Sequence, residues 1–230
     1  RAAIRIFMPG GELPFAGHPT VGTAVALAEL DGAGRGGAAA LMVLEEKIGA
    51  VRCAVLQRSG ASFAEFDLPR LPQQHDLAVD AASLGLGPHE IGFENHVPSL
   101  WSAGVPFVCV PLAGLDAAAR AQVDAASWLE IAPRVDGATC APYLYCRDTV
   151  GHDNAFHTRM FAPWDSVPED AATGSAAAAL SGAITFFDRP DGGSHRYWIE
   201  QGIEMGRPSR IRLEVDIADG AMTGARIGGH

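Results

Sequence analysis

The chain has 230 residues, 48% hydrophobic and 19% charged, enough apolar material for a core and too much for global disorder. Its 17 Lys and Arg stand against 27 Asp and Glu, a net charge of −10, which disfavours a nucleic-acid partner or an anionic membrane surface. No apolar run reaches the ~18 residues of a membrane span, so no membrane partner is expected; a small acid can still bind at a local positive site.

In chain order, residues 3–8 read as a strand, and a Gly/Pro turn leads into a helix of small and apolar residues over 20–31. Residues 41–67 alternate as strands at 41–44, 51–56 and 63–68, with turns at Gly49 and Gly60. Pro69, Pro72, Gln73 and Gln74 mark a boundary between a first half, 1–68, and a second, 69–230, with the last strand a candidate to cross back. A short helix is expected over 77–85. A buried strand follows over 105–112, then a helix over 116–131 with Asp116 as its N-cap. Strands are expected at 143–147 and 155–161, a second small-residue helix at 173–187, and strands at 196–201, 210–217 and 223–227.

Short, closely spaced strands without a run of βα units predict an α+β protein with antiparallel or mixed sheets. The P-loop, HExxH and GxSxG patterns are absent, so three common enzyme readings lose their main support. Cys53, Cys109, Cys140 and Cys146 form no C-x-x-C pair and read as buried free thiols in a reducing cytoplasm.

The chain also repeats itself. Arg5-Ile6-Phe7-Met8-Pro9 recurs as Arg159-Met160-Phe161-Ala162-Pro163, and Gly22-Thr23-Ala24 as Gly174-Ser175-Ala176. Each copy runs strand, turn, then a helix that is small or apolar nearly all round, and such helices are enclosed by protein. This predicts two pseudo-symmetric halves, each a sheet curled around one buried helix. Aligning Gly22 with Gly174 places His18 and Asp170 at equivalent positions. If the halves face each other, both helix mouths open into one cleft, with free N–H groups for a carboxylate and two titratable groups for proton shuttling. Read singly, His18 is a turn residue and Asp170 a helix cap.

Residues 12–24, from Glu12-Leu13-Pro14 through Gly17-His18-Pro19-Thr20 to Ala24, resemble the first signature of the PhzF-like phenazine-biosynthesis family. Glu169-Asp170-Ala171-Ala172-Thr173-Gly174-Ser175-Ala176 resembles its second. Gln201-Gly202 and Met205-Gly206-Arg207-Pro208-Ser209 resemble its C-terminal block. The resemblance implies the diaminopimelate-epimerase fold and an isomerase that moves a proton on a dihydro-hydroxyanthranilic acid without metal or organic cofactor. Two-thiol racemases share this fold, but His18 and Asp170 stand where thiols would be. The second signature has Ala171 in place of a usual Pro. The family's principal catalytic Glu would lie upstream of Arg1, so the chain is expected to be a fragment that binds a cyclic acid without isomerising it.

These expectations make the protein a cofactor-independent isomerase of a small cyclic or amino-acid-like carboxylic acid, with homodimerisation left open. Asp170 and His18 are the catalytic candidates. Gly17, Gly22, Thr23, Thr173, Gly174 and Ser175 are the substrate-binding candidates, with no metal. A non-catalytic carboxylate binder and a racemase using a carboxylate/His pair remain the alternatives.

Overall fold

The computed structural model describes residues 1–8, 11–33, 38–58, 61–77 and 84–230. From the N-terminus come strand β1 (Ala2–Ala3), the hairpin β2 (Ile6–Met8) and β3 (Gly11–Leu13), helix α1 (Gly17–Leu30), and strands β4 (Ala40–Glu46), β5 (Gly49–Arg58) and β6 (Ala61–Asp67). Then come β7 (Gln73–His75), β8 (Ser99–Ser102), β9 (Pro106–Pro111), helices α2 (Leu115–Arg120) and α3 (Ala125–Ile131), and the small ribbon β10 (Arg134–Val135) and β11 (Ala138–Thr139). The chain continues with β12 (Ala141–Cys146), β13 (Phe156–Ala162), β14 (Val167–Asp170), helix α4 (Gly174–Asp188), and strands β15 (Gly193–Gln201), β16 (Ser209–Ala218) and β17 (Ala221–Gly229).

Thirteen strands form one sheet in the order β1-β4-β5-β6-β17-β16-β15-β13-β12-β9-β8-β7, with β14 on β13. The pairs β1–β4, β9–β12 and β13–β15 are parallel and the others antiparallel. Strand β17 pairs with β6, placing Ile227 opposite Phe66. One end of the sheet curls around α1, which packs on β4, β5, β6 and β17. The other curls around α4, which packs on β7, β8, β9, β16 and β17. This is the α+β, two-helix architecture expected from the repeat.

The two helices are not enclosed alike. In α4 every residue from Gly174 to Ile184 is buried. Small side chains make this fit: a Cβ on Gly182 would collide with the Trp101 ring. In α1 only Gly17, Thr20, Val21, Ala24 and Ala28 are buried, while His18, Gly22, Ala26, Glu29 and Leu30 form an exposed stripe. The expectation of a helix buried all round therefore holds for α4 up to Ile184, its last turn being partly exposed at Phe186, and is corrected for α1.

The expected helix over 116–131 is two helices. Arg159 Nη1 donates to the carbonyls of Ala118 (2.6 Å) and Ala121 (3.0 Å), closing the end of α2. Asp124 then caps α3 by accepting from the Ser127 N–H at 2.8 Å. Asp116 lies inside the first turn of α2, whose N-cap is Gly114. Helix α1 starts at Gly17, three residues earlier than expected. Most of the helix expected over 77–85, the Gly60 turn, and Pro9 of the repeat lie outside the described residues.

The repeat survives in detail. Arg5 pairs with Glu12 through two hydrogen bonds, and Arg159 pairs with Glu169 in the same way. Each guanidinium also stacks on the aromatic ring two residues on, Phe7 at 4.8 Å and Phe161 at 4.7 Å. Each half thus builds a hairpin, pins it with an Arg–Glu pair, and turns into a helix beginning with glycine.

Candidate active site

The two helix starts meet. A Cβ built on Gly17 would lie 2.5 Å from the Cα of Gly174, and one built on Gly174 would lie 2.7 Å from the Cα of Gly17. Only glycine permits this approach. A cavity of about 300 Å³ opens beside the contact, lined by Gly17, His18, Asp170, Thr173, Gly174 and Ser175 among others. Phe7, Leu13, Phe15, Phe107 and Met160 give it an apolar wall. The hairpin β2–β3 supplies one side, and β9, β13 and β14 the other.

Its electrostatics come from backbone as much as from side chains. Among the described residues, the lining ionisable groups are His18, Asp165 and Asp170, with no Lys or Arg. The positive ends of two helices converge instead. Neither helix has an acidic residue in its first turn, and neither N-cap side chain caps its own helix. Helix geometry leaves the N–H groups of Gly17, His18, Gly174 and Ser175 without intrahelical acceptors. That is an anion site of ordinary kind.

His18 is held by Nδ1, 2.9 Å from the carbonyl oxygen of Ala172. A carbonyl only accepts, so Nδ1 carries the hydrogen and Nε2 is the nitrogen free to exchange a proton. Asp170 is half-buried at the end of β14, and its Oδ2 accepts from the Thr173 hydroxyl at 2.7 Å. Thr173 Oγ1 in turn accepts from Gln201 Nε2 at 2.8 Å.

The candidates therefore divide. His18, Asp170, Gly17, Thr173, Gly174 and Ser175 line one cavity. Gly22 and Thr23 do not. They sit in the second turn of α1, where their N–H groups belong to the helix ladder. The alignment of Gly22 with Gly174 is likewise corrected: the helix starts match Gly17 to Gly174, so Ser175 is the counterpart of His18 and Leu13 that of Asp170. His18 and Asp170 share a cavity because the helix ends abut, not because they are equivalent.

The cysteines stay out of this chemistry. All four are buried and none lines the cavity. Burial pushes the Cys140 thiol up to about 11 and those of Cys53 and Cys146 to about 12, far from a reactive thiolate. Sequence reasoning missed Gln201 as a structural centre of the site, although a Gln ending the run Trp198-Ile199-Glu200 was a signal that an inward position needs a polar group.

The family model described as PhzC-PhzF, phenazine biosynthesis-like protein, matches residues 1–230. The chain is 58% identical to an uncharacterized isomerase of Mesorhizobium japonicum, over 99% of this chain and 76% of that protein. It is 30% identical to trans-2,3-dihydro-3-hydroxyanthranilate isomerase of Pseudomonas aeruginosa, over 100% of this chain and 76% of that one. The crystal structure of a PhzF-family phenazine biosynthesis protein from Bacillus anthracis superposes with a TM-score of 0.83 at 22% identity, covering 99% of this chain and 76% of that one.

Proposed function

The chain belongs to the PhzC-PhzF family of phenazine biosynthesis-like proteins, and on that premise we propose that the full-length protein isomerises a small cyclic carboxylic acid by moving a proton between carbons. The observation that carries this reading is the shared cavity: His18 from α1 and Asp170 from the turn before α4 line about 300 Å³ at the junction of two helix N-termini. The amides of Gly17, Gly174 and Ser175 hold the carboxylate. The apolar wall takes the ring. Asp170 and His18 polarise the substrate and exchange protons with it. A proton leaves one carbon and one is returned to another, so the reaction balances without an oxidant or reductant.

Support for the substrate class comes from the relative named as a trans-2,3-dihydro-3-hydroxyanthranilate isomerase. A racemase that works through two thiols finds no support in the buried cysteines. The test is incubation of the full-length protein in D2O with trans-2,3-dihydro-3-hydroxyanthranilate and, separately, with proline and diaminopimelate. Deuterium in the ring carbons of the cyclic dienoic acid supports the proposal. Exchange confined to the α-hydrogen of the amino acids overturns it.

A further inference from the structure

Thr173 occupies the N-cap position of α4, yet its hydroxyl does not cap the helix. Threonine there normally accepts from an amide of the first turn. Something redirects it. The neighbour responsible is the side-chain amide of Gln201, which is fully buried at the end of β15.

Four contacts surround that amide. Nε2 donates to the Asp170 carbonyl at 2.7 Å and to Thr173 Oγ1 at 2.8 Å. Oε1 accepts from the Thr173 N–H at 3.2 Å and lies 3.3 Å from the Tyr143 hydroxyl, whose single hydrogen it shares with Thr158 Oγ1 at 3.1 Å. The Asp170 carbonyl only accepts and the Thr173 N–H only donates, so the amide fits one way round. The Thr173 oxygen faces a donor, and its single hydrogen goes to Asp170 Oδ2, 2.7 Å away. Direction is thereby imposed along the chain amide, hydroxyl, carboxylate.

Two consequences meet at the cavity. Asp170 has one oxygen fixed, which orients the other. The first amides of α4 keep their hydrogens for a ligand, because the only capping side chain is engaged elsewhere. The strand end carrying Gln201 is itself anchored. His157 lies between Glu200 (2.9 Å) and Glu204 (2.8 Å), and Ser209 Oγ donates to the Ala171 carbonyl. Gly202, at φ +78°, packs against the backbone of Ala171 and Arg207, where a Cβ would collide.

We propose that Gln201 is a positioning residue: acting through Thr173, it aims the Asp170 carboxylate and keeps the amide end of α4 open to the substrate carboxylate. This rests on the functional reading above. Gln201 is not among the residues lining the cavity.

The test uses the full-length protein with Gln201→Met, Thr173→Val and Thr173→Ser. Trans-2,3-dihydro-3-hydroxyanthranilate is the turnover probe, with NMR of the labelled protein alongside. Thr173→Val keeps the shape and removes the hydroxyl. Its kcat is expected to fall about 10–100-fold, the scale of a misaimed reacting group, with KM within about twofold. Thr173→Ser restores kcat. Gln201→Met lowers kcat at least as far and raises KM, because the freed threonine can cap the helix. Should Gln201→Met not fold, the threonine pair decides. Equal losses in Thr173→Ser and Thr173→Val, or a loss confined to KM, overturn the proposal. If wild type turns over nothing, the functional reading falls and the spectra judge the positioning. The Gln201 side-chain N–H pair and the Asp170 carboxyl carbon should shift in Thr173→Val and return in Thr173→Ser. Unmoved signals overturn the proposal.

Discussion

Gly17 and Gly174 face each other backbone to backbone, each so close that a methyl group on either would strike the Cα of the other. The contact makes two half-sites into one cavity, because it brings the starts of α1 and α4 together. Gly17→Ala and Gly174→Ala are each expected to destabilise the protein by about 1–3 kcal/mol, the usual cost of overpacking. Gly22, an exposed glycine of α1 with nothing near its would-be Cβ, should behave oppositely. Gly22→Ala is expected to stabilise by about 0.5–1 kcal/mol and leave ligand binding unchanged. Urea denaturation of the three variants checks both signs.

The two Arg–Glu pairs of the repeat give a second contrast. Arg159 and Glu169 are largely buried, and Arg159 also holds the end of α2. Glu169→Gln leaves the buried guanidinium with only the more distant Glu204 carboxylate, 3.8 Å away, as counter-charge, a loss of about 1.5–3 kcal/mol. Arg5–Glu12 lies exposed to solvent. Glu12→Gln is expected to leave the denaturation midpoint where it is. Equal effects of the two substitutions would contradict this account of the repeat.

Much of this was legible in the sequence. The repeat could be read because each half needs an arginine on the hairpin and small residues along the helix; the glutamate that pairs with each arginine emerged only from the structure. The register was not legible. Gly22-Thr23-Ala24 and Gly174-Ser175-Ala176 look alike, but such triplets do not mark helix starts, and α1 begins behind Ala16, which has no capping side chain. The break between α2 and α3 was hidden because Arg159, the residue that closes α2, lies some forty residues downstream. The role of Gln201 was hidden for the same reason: its partners Tyr143, Asp170 and Thr173 come from other elements.

Glu46 predicts a pH dependence. The Thr20 hydroxyl has one hydrogen and two oxygens nearby, Ala16 O at 2.7 Å and Glu46 Oε1 at 2.6 Å. A proton on Glu46 resolves the shortage, and burial pushes its carboxyl up, outweighing the Thr20 hydrogen bond that favours ionisation. A folded-state value above the ordinary 4.5 means that the stability it contributes is full below about 4.5 and is lost as pH rises through the raised value. Glu46→Gln supplies an N–H in place of that proton. Its urea midpoint should exceed that of wild type by a margin that grows as pH rises from about 4.5 through the raised value and then levels off, and curves that run parallel from about pH 4.5 upward would contradict the raised carboxyl.

The cysteines should be inert in the folded state. With the thiols of Cys140, Cys53 and Cys146 at about 11 to 12, that of Cys109 pushed up further by burial, and all four side chains buried, iodoacetamide at pH 8 is expected to label none of them before unfolding. Mass spectrometry of the native and urea-unfolded protein makes the comparison. Rapid native labelling with loss of turnover would return a thiol to the chemistry.

On the proposed function, Asp170 exchanges protons with the substrate and does not merely brace the chain before α4. The direct measurement is kcat and thermal midpoint together for Asp170→Asn in the full-length protein. Asparagine keeps the shape and an oxygen for the Thr173 hydroxyl but loses charge and basicity. The account predicts a fall in kcat of about 10²–10⁴-fold with an unchanged midpoint. Unchanged turnover with a lowered midpoint would show that Asp170 is a structural brace.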